Sequence, residues 1–289
     1  MKFWLLFLWC SCFATEYVTS AFKGQLCNQM FEIASVLAYA YDHGCEPSFP
    51  SLFEAINGEL NYRYIFHRLN VTPFPEGAEF HYYNHDQTTD SHVYAPIPYF
   101  PGQNLRLDGH CISEKYFARY RDRIQELFAP TEEMIAAIQA KYGDLLREKT
   151  VAVHVRTYIP DNFNTICHTA PHLQWAKWHY FTSAIYRFPA DCHFLIFSDD
   201  IKWTKKNFPT LPRKVTFIEG NPHYFDFYFI SLCDHQIVSP DSTYSWWAAW
   251  LNKNPNKIVI APDRWWNMDQ SDAVPDDWVK IPRYPSNLR

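Results

Sequence analysis

The chain has 289 residues, 47% of them hydrophobic and 20% charged, with a formal net charge of −5. That is enough apolar material for one large domain or two ordinary ones, and it excludes bulk disorder. A net negative chain is a poor general partner for nucleic acid, so none is expected. Aromatic residues make up 18%, with 11 Trp and 19 Tyr. Such rings suit sugar faces, although ordinary packing accounts for most of them.

In chain order, Phe3–Ala14 is an apolar run behind Lys2. Its length matches a signal-peptide core and falls short of an ordinary membrane span. Residues 1–14 are therefore expected to be a signal peptide or a short uncleaved anchor, a buried N-terminal element being the alternative. This places the protein in the secretory pathway or cell envelope and makes the N-terminus the candidate for membrane association. The chain has eight cysteines and no CxxC, so no structural zinc is expected and disulfide pairing cannot be read from spacing.

"EYVTSAF" reads as a strand and "KGQLC" as a turn. A helix is predicted from about Asn28 to His43, with Met30, Ile33, Ala34, Leu37 and Tyr41 on its apolar face and Gly44 as its stop. Residues 45–128 give weak periodicity. Thr131 is the predicted N-cap of a helix whose inner face is Met134, Ile135, Ile138 and Tyr142. From Thr150 the rhythm is clear: strands at 150–156, 193–198, 214–219, 236–239 and 257–261 alternate with helices near 173–188, 200–207, 224–233 and from 243. Alternation of this kind predicts βαβ units and a parallel sheet. The expected architecture is α/β, with an N-terminal half over 15–148, a C-terminal half over 149–289 and a cleft between them.

Polar residues gather at the carboxyl ends of the C-terminal strands, where open parallel sheets bind ligands. His154 and Arg156 close the first strand; Ser198, Asp199 and Asp200 the second; Glu219 to Asn221 the third; Asp241 to Ser245 the fourth; Asp263 and Arg264 the fifth. In "SPDSTYSWWAAWL", Ser242, Thr243 and Ser245 crowd the start of an aromatic helix. One hydroxyl would serve as an N-cap; several, with free amides, the helix dipole and Arg156 nearby, suit a diphosphate. Trp246, Trp247 and Trp250 are read as core, not as a sugar platform. No GxGxxG and no GxxxxGK[ST] occurs. Dinucleotide hydride transfer and ordinary P-loop chemistry lose ground, and a sugar-nucleotide enzyme gains it.

Five segments in order, "KGQLCNQMFEIASVLAYA", "LDGHCISEKYF", "VAVHVR", "FLIFSDDIKW" and "FYFISLCDHQIV…STYSWWAAWLN", with "IVIAPDRWW" closing the series, resemble glycosyltransferase family 11, the α-1,2-fucosyltransferases. The resemblance implies a GT-B fold, two Rossmann-like domains facing a central cleft, with the nucleotide sugar held by the C-terminal one. It implies inverting, metal-independent transfer of L-fucose from GDP-fucose to O2 of a galactose-terminated glycan, with no cofactor and no metal ligand. By position, Arg156 would hold the β-phosphate, with His154 beside it as the second catalytic candidate. Asp200, with Asp199 beside it, would face guanine. Ser242, Thr243 and Ser245 would close over the diphosphate. Gly24, Asn28 and Gln29 would lie across the cleft near fucose and acceptor.

The sequence departs from the family's "HVRRGDY". Thr157 replaces the second Arg, and Asp161 is the nearest carboxylate after it. Restoring an Arg at 157 is expected to raise kcat if that side chain reaches the cleft. Cys27 stands where the loop usually has Gly and has no assignable partner as a nucleophile. The acceptor's general base is not identified. Two alternatives stay open: a transferase with another nucleotide sugar or a protein acceptor, and a non-catalytic glycan-binding protein, which would have no use for a diphosphate site.

Overall fold

The computed structural model describes residues 15–157, 171–265 and 271–285. The expected signal or anchor over 1–14 and the displaced carboxylate Asp161 lie outside the described residues. No described helix is long and apolar enough to cross a membrane.

The N-terminal half runs β1 (Tyr17–Ser20), α1 (Leu26–His43), β2 (Glu46–Pro47), α2 (Gly58–Asn61), β3 (Phe80–Asn84), β4 (Asn104–Asp108), α3 (Arg121–Leu127) and α4 (Glu132–Leu146). The C-terminal half runs β5 (Thr150–Val155), α5 (Pro171–Ile185), β6 (His193–Ser198), α6 (Ile201–Asn207), β7 (Lys214–Phe217), α7 (His223–Leu232), β8 (His235–Ile237), α8 (Thr243–Leu251), β9 (Val259–Pro262) and β10 (Val279–Ile281). Among the described residues the first half holds a sheet of order β2-β1-β4-β3 and the second a sheet of order β10-β9-β8-β5-β6-β7. Every pairing in both is parallel.

The helix boundaries follow local chemistry. Gly44 closes α1 in the left-handed region at φ 72°, donating its N–H to Ala40 O at 2.8 Å. Thr131 caps α4 by accepting from the Met134 N–H at 3.2 Å. Of the predicted inner face of α4, Ile138 alone is fully buried. The weakly periodic stretch 45–128 contains β3 and β4, five residues each, and many short turns. Short strands flanked by Pro and Gly carry little pattern, which is why the sequence did not show them.

Strand β5 is buried on both faces. Val151, Val153 and Val155 meet Tyr180 and Phe181 of α5 in one core. Ala152 belongs to the other core, which continues through α7 and α8 into the N-terminal half. The tryptophans of α8 are buried there, as expected, yet their partners are not the sheet alone. Phe31 of α1 lies 4.5 Å from Trp246 and 5.0 Å from Trp247, centroid to centroid. Phe117 stacks on Trp247 at 5.2 Å. Helix α8 is thus an aromatic wedge joining the two halves.

Candidate active site

A cleft of about 680 Å³ opens between the carboxyl ends of the two sheets, within the size range of small-molecule sites. One wall is the loop after β1. Gly24 turns there at φ 65°, and a Cβ on it would sit 2.4 Å from Asn28 Nδ2, so the loop requires glycine. Beneath it, Glu32 accepts the Lys23 N–H on both oxygens, each at 3.0 Å. Burial pushes the Glu32 carboxyl up to about 8, against the pull of those donors. Asn28 lines the cleft and accepts from the Thr243 hydroxyl at 2.9 Å, bridging the halves. Gln29 does not face the cleft. It is fully buried, donates to Gly24 O and Ile56 O at 3.1 and 3.0 Å and accepts from Asn61 Nδ2. It braces the loop from behind, so its expected place beside fucose and acceptor is corrected. Cys27 is also buried, and desolvation pushes its thiol well up despite Arg156, which leaves no reactive thiolate.

The opposite wall rises from β5. Arg156 donates its backbone N–H to Ser239 Oγ at 3.0 Å and its guanidinium to Asp199 at 2.9 Å. The second oxygen of Asp199 accepts the Thr157 N–H at 2.6 Å. Burial would raise the Asp199 carboxyl, but Arg156 and that N–H hold it below its usual value. Asp199 therefore aims Arg156 into the cleft instead of offering itself to a base. Asp200 is off the cleft wall; its carboxylate caps α6, accepting from Trp203 N–H at 2.9 Å. His154 is nearly buried, with Nδ1 3.4 Å from Ser242 Oγ and its ring 4.9 Å from that of Tyr244.

The hydroxyls before α8 divide their work. Ser245 Oγ accepts the Ser239 N–H at 3.0 Å and donates to Ser242 O at 3.2 Å, pinning the strand-to-helix turn from inside. It is 2% exposed, so its expected contact with the diphosphate is corrected. Ser242 caps α8 through the Ser245 N–H, at 3.4 Å, and still lines the cleft. Thr243 lines it too, its hydroxyl given to Asn28. The amides of Thr243 and Tyr244 open a nine-residue helix onto the cleft. Asp241, left-handed at φ 61°, is held in a two-pronged pair by Arg283 at 2.7 and 2.6 Å, which offsets its charge beside an anion site. Thr157 is fully buried, so an Arg there would not reach the cleft freely. Asp263 and Arg264 do not line it.

The sequence profile of Glycosyl transferase family 11 matches residues 11–282. The chain belongs to glycosyltransferase family 11. An Escherichia coli alpha-1,2-colitosyltransferase is 31% identical over 179 residues, 58% of this chain and 60% of that protein. The O-antigen biosynthesis glycosyltransferase WbnK of E. coli is 28% identical over 226 residues, 72% of this chain and 67% of its own length. Among solved structures, the Bradyrhizobium fucosyltransferase NodZ superposes with a TM-score of 0.54 at 14% identity, covering 82% of this chain and 93% of NodZ. A mutant of Arabidopsis thaliana FUT1 in complex with GDP gives 0.52 at 15% identity, covering 85% and 70%. These likenesses establish the GT-B fold: two parallel α/β halves facing one cleft.

Two further groups of residues stand at the cleft wall. Asp226 and Asn221 line the cleft at the start of α7, 2.8 Å apart, with Lys141 2.5 Å from the Asn221 oxygen. Burial pushes the Asp226 carboxyl up to about 6. Asn221 was visible as a strand-end residue, but Asp226 sat inside an apolar helical run, "YFDFYFISLC", and gave no signal. The second group, His110 with Asp86 and nearby His92, lies on the N-terminal wall.

Proposed function

We propose that this family 11 protein transfers L-fucose from GDP-fucose to O2 of a terminal galactoside, with inversion and without a metal. The observation that carries the reading is Arg156, aimed by Asp199 at 2.9 Å into a cleft that the N-terminus of α8 also faces. As the fucosyl bond breaks, charge develops on the leaving diphosphate. Arg156 and the first amides of α8 meet it where it forms, and one such donor is commonly worth ~3 kcal/mol of barrier. Ser242 and His154 stand beside that position. Asp226 takes the role first expected of Asp200: a cleft-facing carboxylate able to accept from the N1–H and N2–H₂ edge of guanine. Gly24 and Asn28 face the sugar from the other side. The galactose-terminated acceptor enters over the N-terminal half.

The reading involves no metal: Arg156 and the first amides of α8 are the groups that would face the charge of the diphosphate. Turnover is expected to persist in chelator; a tenfold loss restored by Mn²⁺ or Mg²⁺ would contradict this. The named activity of the colitosyltransferase relative supports a second donor, colitose, which is fucose lacking the hydroxyl at C3. That relative and WbnK, named for O-antigen biosynthesis, also support a cell-envelope setting for the acceptor. The test is calorimetric titration with GDP. Micromolar binding, weakened by Arg156→Ala, is expected; absence of heat would favour a non-catalytic glycan-binding protein.

A further inference from the structure

On the C-terminal wall the carboxylates of Asp199 and Asp241 are paired with Arg156 and Arg283, and Asp226 is given to guanine in the proposed reading. The N-terminal wall offers the proton of the acceptor hydroxyl a destination. Strands β3 and β4 are parallel neighbours, with Asn84 paired to Asp108, so their carboxyl ends emerge side by side. Asp86 follows β3 in a single 3-10 turn, and His110 follows β4 two residues on. Asp86 Oδ2 lies 2.8 Å from His110 Nδ1, and Asp86 also accepts the His110 backbone N–H at 3.1 Å. Residue 109 is glycine for a local reason: a Cβ there would sit 2.8 Å from His85 Cβ and 3.2 Å from the Asp86 carboxylate. Gly109 thus lets the Asp86 carboxylate close onto both the ring and the backbone N–H of His110.

We propose that His110, held by Asp86, is the general base that accepts the acceptor's proton. A carboxylate on Nδ1 fixes the Nδ1–H tautomer, which leaves the lone pair on Nε2. His110 lines the cleft with its ring 30% exposed, so that nitrogen can meet a substrate hydroxyl. His92 is the alternative imidazole on this wall, but its ring is only 13% exposed and is engaged by Asp90 at 3.1 Å and Ser91 at 3.0 Å. Burial would raise the Asp86 carboxyl, yet its bonds to His110 keep it below its usual value, so Asp86 remains an acceptor at neutral pH. In the step, the acceptor O–H bond breaks and its proton passes to Nε2. The oxygen pair forms the new bond to C1 of the donor sugar. The C1–O bond to the diphosphate breaks, and its electron pair leaves with GDP. Asp86 stabilises the imidazolium and is a positioning residue.

The inference rests on the transferase reading. The experiment measures transfer at saturating donor, acceptor KM and GDP affinity for wild type, His110→Gln and Asp86→Asn. General bases contribute roughly 10²–10⁴-fold, so His110→Gln is expected to lower kcat at least a hundredfold with KM and GDP affinity within about threefold of wild type. Asp86→Asn is expected to lower kcat by roughly tenfold with the same split. A kcat within threefold of wild type in a GDP-binding His110→Gln protein overturns the proposal. If that variant fails to fold, an unchanged kcat in Asp86→Asn overturns it equally. Absence of transfer by the unsubstituted chain would sink the transferase reading instead, so the two failures are distinguishable.

Discussion

At the scale of single residues, the cleft is built from charges that hold one another. Arg156 is paired yet still lines the cleft, so it can exchange part of its contact with Asp199 for a phosphate. Arg156→Ala is expected to lower kcat by on the order of 10²–10³-fold, the usual loss for one donor to developing charge; near wild-type turnover would remove it from this role. Asp226 gives a pH prediction. Its carboxyl is pushed up to about 6 in the free protein, and only the ionised form can accept from the N1–H and N2–H₂ of guanine on both oxygens. GDP affinity should therefore fall as pH drops below about 6, and Asp226→Asn should flatten that dependence; an unchanged profile would contradict the assignment. Thr157 reverses the expectation from its sequence. The side chain is buried and its N–H is tied to Asp199, so Thr157→Arg would bury a cation in a filled site. A lower melting temperature and no gain in kcat are expected.

At the scale of elements, the parallel β/α rhythm of the C-terminal half was legible because β5, β6, β8 and β9 are buried along nearly their whole length and read as apolar runs. Observed β6 coincides with the predicted strand at 193–198. The polar turn before α8 was also legible as a special place, but not the division of labour within it. Ser242, Thr243 and Ser245 look alike in sequence, whereas the fold spends Ser245 on the turn and Thr243 on Asn28. Gln29 and Asp200 were misplaced for the same reason. A polar residue beside a ligand loop and one that braces the loop have the same spacing, and only packing separates them. The α8 tryptophans carry the next prediction. Trp247 is fully buried between Phe31, Phe117 and Phe128, so Trp247→Ala should cost about 3–5 kcal/mol of stability, measured by denaturant unfolding.

At the scale of the molecule, two sheets share one continuous core. Besides the α8 wedge, Gln125 donates to Trp250 O at 2.8 Å and Trp250 Nε1 to Glu114 at 2.8 Å. The segment around Asp272 reaches back to the N-terminal half, where its carboxylate accepts the Tyr94 N–H at 2.8 Å and its carbonyl accepts from Ser113 Oγ at 2.8 Å. The halves should therefore unfold in one calorimetric transition; two separated transitions would mean that the shared core contributes little. The same arrangement sets Arg156 and His110 on the walls of one cleft. The measurement that tests the central claim most directly is incubation of the protein with GDP-fucose and a set of β-galactosides, with the linkage read by NMR. The account predicts a new α-fucosyl residue on O2 of galactose and stoichiometric release of GDP. Intact donor with every galactoside, despite tight GDP binding, or fucose attached at another position, would contradict it.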